Sequence, residues 1–397
     1  MYFSEPDVLK TSLRKDYIIF PNRVVSFECL PGCGYCCSFK VPVLDKDLHR
    51  LASETGARGI ESEEQSDLHL KRENGFCTFL DDNSRCSVYE VRPSFCRMYP
   101  FIRETLYNIE IDVDLSCPGI GFGKEFSNQE LKTKLEIEAS MHEQVAHLTE
   151  MRKKVRPIEE FLRKRGNFTT PYYLSLISGK ILEDTFTGRT AGEGIRLFQI
   201  RSEAANESAV DFGNIESRYQ AENFTDRVME KITIDKDAPE LSPDMLTDSF
   251  TDKKLTTKLT TNGEVTLYSY HYNYSDNLFI LQLYEDQDSR VEISLDDARV
   301  NKFTEKAKTC LCNYIRIWLS RQIPLRYCFA GAFGALHGKN CIALYIGFFR
   351  RVLERLFVLS NIISLREDKD NILESHVMEA VRGTDNYMRN LCRIELL

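Results

Sequence analysis

Cys29-Leu-Pro-Gly-Cys33-Gly-Tyr-Cys36-Cys37 is the stretch on which the reading of this chain turns. Cys77, Cys86, Cys96 and Cys117 follow it, so eight of the thirteen cysteines fall between 29 and 117. Written as spacings this is C-x3-C-x2-C-C, a gap of 39, then C-x8-C-x9-C-x20-C. Four thiolates complete a tetrahedral zinc site or an iron–sulfur cluster. Pro31, Gly32 and Gly34 let the backbone curl tightly enough for neighbouring thiols to converge. Adjacent Cys36 and Cys37 project in different directions in most backbone conformations, so they serve different metals more easily than one. The arithmetic leaves three arrangements open: one four-cysteine cluster with spare thiols, a cluster plus zinc, or two clusters.

Working outward, Phe76-Cys77-Thr-Phe79-Leu80 and Cys86-Ser-Val-Tyr89 read as two strands around the turn Asp81-Asp-Asn-Ser84, a hairpin with one thiol on each arm. Arg92 and Arg97 flank Cys96, where positive charge favours thiolate and an anionic cluster; pairing with nearby acids is the structural alternative. Ile109, Ile111, Val113 and Leu115 alternate with Glu110, Asp112 and Asp114, the period of a half-buried strand that delivers Cys117 at its end. Pro118, Gly119, Gly121 and Gly123 come next, then Ser127 and Glu130 as a capping box. Strand, glycine loop and helix in that order also describe an S-adenosylmethionine or nucleotide loop. A turn that brings Cys117 to the metal is the favoured reading, because no alternation of strand and helix follows. Upstream, Asp45 is a candidate cap for a helix near 45–51, whose His49 reads as solvent-facing rather than as a further ligand.

The composition is that of a globular protein, 42% hydrophobic and 28% charged, with net charge −8, which argues against a dedicated nucleic-acid surface. The N-terminal residues show no continuous apolar run of signal length. Cys341-Ile-Ala-Leu-Tyr-Ile-Gly-Phe-Phe349 is interrupted by Arg350, Arg351, Glu354 and Arg355, so it reads as a buried helix rather than a span. Clustered free thiols then point to metal ligands in the cytoplasm rather than to a disulfide framework. No Ser-His-Asp signature, H-E-x-x-H or P-loop supports a hydrolase or NTPase.

The expected fold class is α+β: a cysteine-rich metal-binding domain of short strands and loops, then a mostly helical region with a β-hairpin. The divisions are 1–125 for the cysteine domain, 126–183 for a helical connection, 184–262 for a polar linker or peripheral region, and 263–397 for a hairpin plus helical domain. A helix is expected near 128–152. Glu264–Tyr272 and Leu278–Tyr284 form the hairpin, with Tyr268, Tyr270 and Tyr272 on one face. Helices are expected near 298–320, 342–365 and 371–393. Cys310, Cys312, Cys328, Cys341 and Cys392 are spaced too irregularly for a second metal site and read as small buried residues.

Cys33-x2-Cys36-Cys37, Cys77-x-Phe79-Leu80, Cys86-x-x-Tyr89, Arg92-Pro93-x-x-Cys96-Arg97-x-Tyr99-Pro100 and Cys117-Pro118-Gly119, in this order, resemble the YkgJ-like, CxxCxxCC-type family of zinc- or iron-chelating proteins. A looser similarity links the cysteine arrangement to flagellin lysine N-methylases; that resemblance implies methyl transfer to a lysine of a protein substrate, and the Arg92-Pro93 motif departs from it. Three functions therefore compete. The first is an iron–sulfur protein, of 4Fe-4S type, that transfers electrons to or modifies a partner protein. The second is a structural zinc module whose role is binding. The third is an S-adenosylmethionine-dependent protein methylase using Gly119, Gly121 and Gly123.

Overall fold

Prolines and glycines punctuate the first third so closely that its strands are short, and helices carry most of the last third. The computed structural model describes residues 18–19, 25–56, 58–62, 68–106, 109–127, 130, 141–164, 200–202, 232–234, 250–260, 264–283, 287–294, 301–319, 321–322, 324 and 341–391. The architecture is α+β, with the cysteine-rich part at the N-terminal end.

That part runs β1 (Ile18–Ile19), β2 (Val25–Phe27), α1 (Asp45–Thr55), β3 (Ile60–Ser62), β4 (Leu68–Leu70), β5 (Arg72–Glu73), β6 (Phe76–Cys77), α2 (Ser94–Met98), β7 (Phe101–Thr105), β8 (Ile109–Val113) and β9 (Lys124–Phe126). β7 and β8 form an antiparallel pair, and β1 adds in parallel to the other edge of β8. β2 pairs with β9, so the chain entering the cysteine loop and the chain leaving Cys117 lie side by side. Two apolar clusters hold the part together. Met98, Phe101, Ile109, Ile111 and Val113 pack with Leu148 of α3 (Met141–Lys164) in one. Val41, Val43, Leu51, Leu70 and Phe79 pack with Cys77, Cys37 and Cys96 in the other.

The remaining elements are β10 (Ile200–Ser202) and β11 (Ile232–Ile234), an antiparallel pair, then β12 (Lys254–Leu259), β13 (Val265–Asn273), β14 (Leu278–Leu283) and β15 (Val291–Ser294), a four-stranded antiparallel meander. β16 (Lys302–Phe303), α4 (Glu305–Leu319), α5 (Cys341–Arg366), β17 (Asn371–Ile372) and α6 (Glu374–Leu391) complete it. Tyr270 and Tyr272 of β13 are buried; Tyr270 stacks with Phe279 and donates its hydroxyl to the Gly383 carbonyl, 2.8 Å away, so these rings serve packing. No helix among the described residues is long and apolar enough to cross a membrane.

Several local expectations change. Cys77 and Cys86 are not on the arms of one regular hairpin: β6 pairs with β5, and the two segments meet in an isolated bridge, Leu80 to Cys86, with backbone bonds from Ser87 N to the Phe79 carbonyl and from Asp81 N to the Arg85 carbonyl. Asp81 explains this, because its carboxylate accepts from the N–H groups of Asn83 and Arg85 and closes a tight turn where a ladder would start. Asp45 does not cap α1, whose N-cap is Leu44; Asp47 instead caps α2 across space, accepting from Ser94 N at 2.8 Å. α3, described over Met141–Lys164, continues past Arg152 and through Pro157, where the expected helix ends near 152; residues 131–140 of that expected helix lie outside the described residues. β12 extends the sheet into residues whose composition reads as polar linker, since its Thr256 and Thr257 are fully buried. Cys328 and Cys392 lie outside the described residues.

Candidate metal centre

Gly34, at φ +58, turns the chain into a short 3-10 helix, Tyr35–Ser38, that presents Cys36 and Cys37. Tyr35 anchors this turn at 1% exposure. β2, crossing beside β9, places Cys29; the Asp81 turn places Cys77 and Cys86 on either side of itself; α2 carries Cys96; the turn after β8 carries Cys117. All eight cysteines of residues 29–117 are free thiols. Cys29 is exposed, Cys77 and Cys117 are buried, and the others are partly buried.

The thiols gather around Cys36. Its sulfur lies within electrostatic reach of Cys29, Cys33, Cys77, Cys86, Cys96 and Cys117, and Cys37 donates its S–H to it. This hydrogen bond makes Cys36 the favoured thiolate of the pair: it lowers Cys36 and is the first cause that raises Cys37. Burial pushes the other thiols up, Cys33 to about 12. Apart from Cys36, burial thus opposes ionisation of these thiols, and a bound cation would offset that cost.

Each side of the gathering has its own neighbours. Cys29, Cys33 and Cys117 line a pocket of about 110 Å³ with Cys36 and Cys96. Cys37 and Cys77 pack against the apolar cluster behind it, Cys96 borders both, and Cys86 is within reach of Cys37, Cys77 and Cys96. In these rotamers no three Cys, His, Asp or Glu side chains among the described residues enclose an ion position.

Backbone donors show that the sulfurs are prepared for negative charge. The N–H two residues on donates to sulfur four times: Tyr35 to Cys33, Phe79 to Cys77, Val88 to Cys86 and Gly119 to Cys117. Such bonds favour thiolate over thiol and belong to the hydrogen bonding that tunes a bound cluster. The donor set and its backbone therefore fit a soft, thiolate-bound ion.

Of the two arginines expected beside Cys96, Arg92 acts on the sulfurs: its charge reaches Cys29, Cys36, Cys86 and Cys96. Its guanidinium lies 3.5 Å over the Tyr89 ring, and its Nε donates to the Tyr89 carbonyl. Arg97 lines the same pocket, but it is drawn to Ser94 Oγ at 3.5 Å and Asp47 at 3.7 Å. A third cation was not legible. Arg382 of α6 reaches Cys33 and Cys117 electrostatically, from a position that nothing in the sequence links to the cysteine loop.

The glycines have a packing explanation. Glu28 N donates to the Gly119 carbonyl at 3.2 Å, and a Cβ on Gly119 would meet the Glu28 carbonyl oxygen at 2.1 Å. Gly123, at φ +67, faces Glu28 Cβ at 2.5 Å, whereas Gly121, at φ +92, faces open space. The loop runs directly into β9, before the capping box of Ser127 and Glu130, so a strand and not a helix N-terminus follows these glycines. His49 is exposed on α1.

Residues 28–118 match the model of the CxxCxxCC family, described as "Putative zinc- or iron-chelating domain". The matched residues begin beside Cys29 and end beside Cys117, so the match and the gathered thiols cover the same stretch. No curated protein and no solved structure matches the chain.

Proposed function

We propose that the CxxCxxCC domain holds iron as an iron–sulfur centre and that the protein transfers electrons to, or modifies, a partner protein. The four N–H···S hydrogen bonds carry this reading. The pocket lining and the apolar cluster support two sets of four ligands: Cys29, Cys33, Cys36 and Cys117 on the pocket side, and Cys37, Cys77, Cys86 and Cys96 on the core side. Cys36 and Cys37 then belong to different sets, as adjacent side chains more easily do.

A bound cluster would supply one-electron chemistry at a potential set by its hydrogen bonds and its surroundings. The chain's own groups prepare for that. Arg92 and Arg382 offset thiolate charge, and the apolar cluster behind Cys77 keeps water from the inner set. Cys29 is exposed at the rim, and Tyr89 and Phe122 are 46% and 36% exposed, which gives a partner protein an apolar contact beside the centre. Eight thiols also suit two closed zinc sites, and soft thiolates serve both metals. Anaerobic purification separates the readings. Brown protein with iron and acid-labile sulfide is the expected result, and colourless protein with zinc alone would overturn it.

A further inference from the structure

Cys117 stands in the wall between two cavities. One is the thiol-lined pocket; the other, of about 610 Å³, lies between the Cys117 segment and helices α4 and α6. That volume is in the range of small-molecule sites. Most of its wall is apolar, from Leu115, Ile120, Tyr314, Ile317, Met378 and Val381.

Arg382 lines this cavity and is only 8% exposed. Among the described residues its one hydrogen bond is long, Nη1 to the Thr257 carbonyl at 3.4 Å, and it forms no ion pair. Glu379 is the carboxylate whose charge reaches it, yet both Glu379 oxygens are taken by Arg366, at 2.8 and 3.0 Å. A guanidinium desolvated to this degree with no bonded anion is costly unless a ligand completes it.

We propose that this cavity binds a small organic carboxylate, held in two parallel hydrogen bonds by Arg382, with its apolar body against Ile317 and Met378. One planar guanidinium matches one carboxylate. Glu305 and Glu374 in the same wall offset Lys306 and Arg382, a balance that suits a monoanion better than a phosphate dianion.

Calorimetric titration of the full-length protein with hexanoate, hexanol and inorganic phosphate tests it, with metal content measured on the same sample. Saturable binding of hexanoate is expected, weakened about tenfold or more in Arg382→Gln, with no saturable binding of hexanol. Because Arg382→Gln can impair folding, a second measurement uses the unaltered protein. Cys310 lines the cavity, so hexanoate at saturation should slow its alkylation at least threefold by site-resolved mass spectrometry, and hexanol or phosphate should not. Unprotected Cys310, equal protection by phosphate, or hexanoate binding unchanged in folded Arg382→Gln would each overturn the proposal.

Discussion

Asp385 of α6 accepts a hydrogen bond from the backbone N–H of Leu115, 2.8 Å away, two residues before Cys117. The same carboxylate accepts from Tyr314 Oη at 2.8 Å and pairs with Arg321. Arg321 in turn reaches Asp112 Oδ2 at 2.8 Å and the Val113 carbonyl at 3.0 Å. Asp385, Arg321 and Asp112 are all nearly solvent-free. The helical part therefore grips β8 and the turn that positions Cys117 through a buried charged network. Removing one charge from such a network leaves its partners desolvated and unbalanced. Asp385→Asn should lower stability by about 3 kcal/mol in urea unfolding. An unchanged midpoint would show that this network does not join the two parts.

The two thiol sets should come apart by mutation. Cys117 lines the pocket and Cys77 packs in an apolar cluster. Cys117→Ser should remove the metal of one set and leave that of the other, whereas Cys77→Ser should also destabilise the fold by about 1 to 3 kcal/mol, because it buries a hydroxyl. Metal analysis of both single variants and the double variant reads this. If either single variant lost all bound metal, a single shared centre would replace the two-set arrangement.

Glycine substitutions separate packing from cofactor binding in the loop after Cys117. An alanine Cβ at 119 has no room beside the Glu28 carbonyl, so Gly119→Ala must displace the strap of β2 and β9, at about 3 kcal/mol. Gly121→Ala meets nothing within 4 Å and bears only the strain of its positive φ, about 1 kcal/mol. Thermal unfolding of the two variants should rank them in that order. S-adenosylmethionine binding that vanished in folded Gly121→Ala would instead make this loop a cofactor cradle.

What the sequence conveyed was local. The curl at Gly34, the strand delivering Cys117, the Ser127 and Glu130 capping box and the sheet hairpin each rest on neighbours within a few residues. Alternation along β8 also assigned Asp112 and Asp114 to the wetter face, yet both are buried, since alternation says which residues share a side and not what covers it. The cover is Arg321 and α6, far along the chain. Arg382 was illegible for the same reason: a helical arginine announces no partner until the fold brings one. The Cys77 and Cys86 segments failed differently, because residue types that favour a turn also permit a side chain, here Asp81, to satisfy the backbone in place of a ladder.

Glu110 gives the interface between the two parts a pH dependence. Its Oε2 accepts from Gln322 Nε2 at 2.9 Å. Burial, with the charge of Asp112 adding, raises its carboxyl from 4.5 to about 7. The folded protein therefore binds this proton more tightly than the unfolded chain does. The resulting stability is fully present below about pH 4.5 and is lost as pH rises through about 7. Glu110→Gln keeps an acceptor for Gln322 and cannot ionise. Relative to the parent, this variant should gain stability progressively between pH 5 and pH 8 in urea unfolding. A difference between the two proteins that stays constant over that range would show that Glu110 does not titrate there.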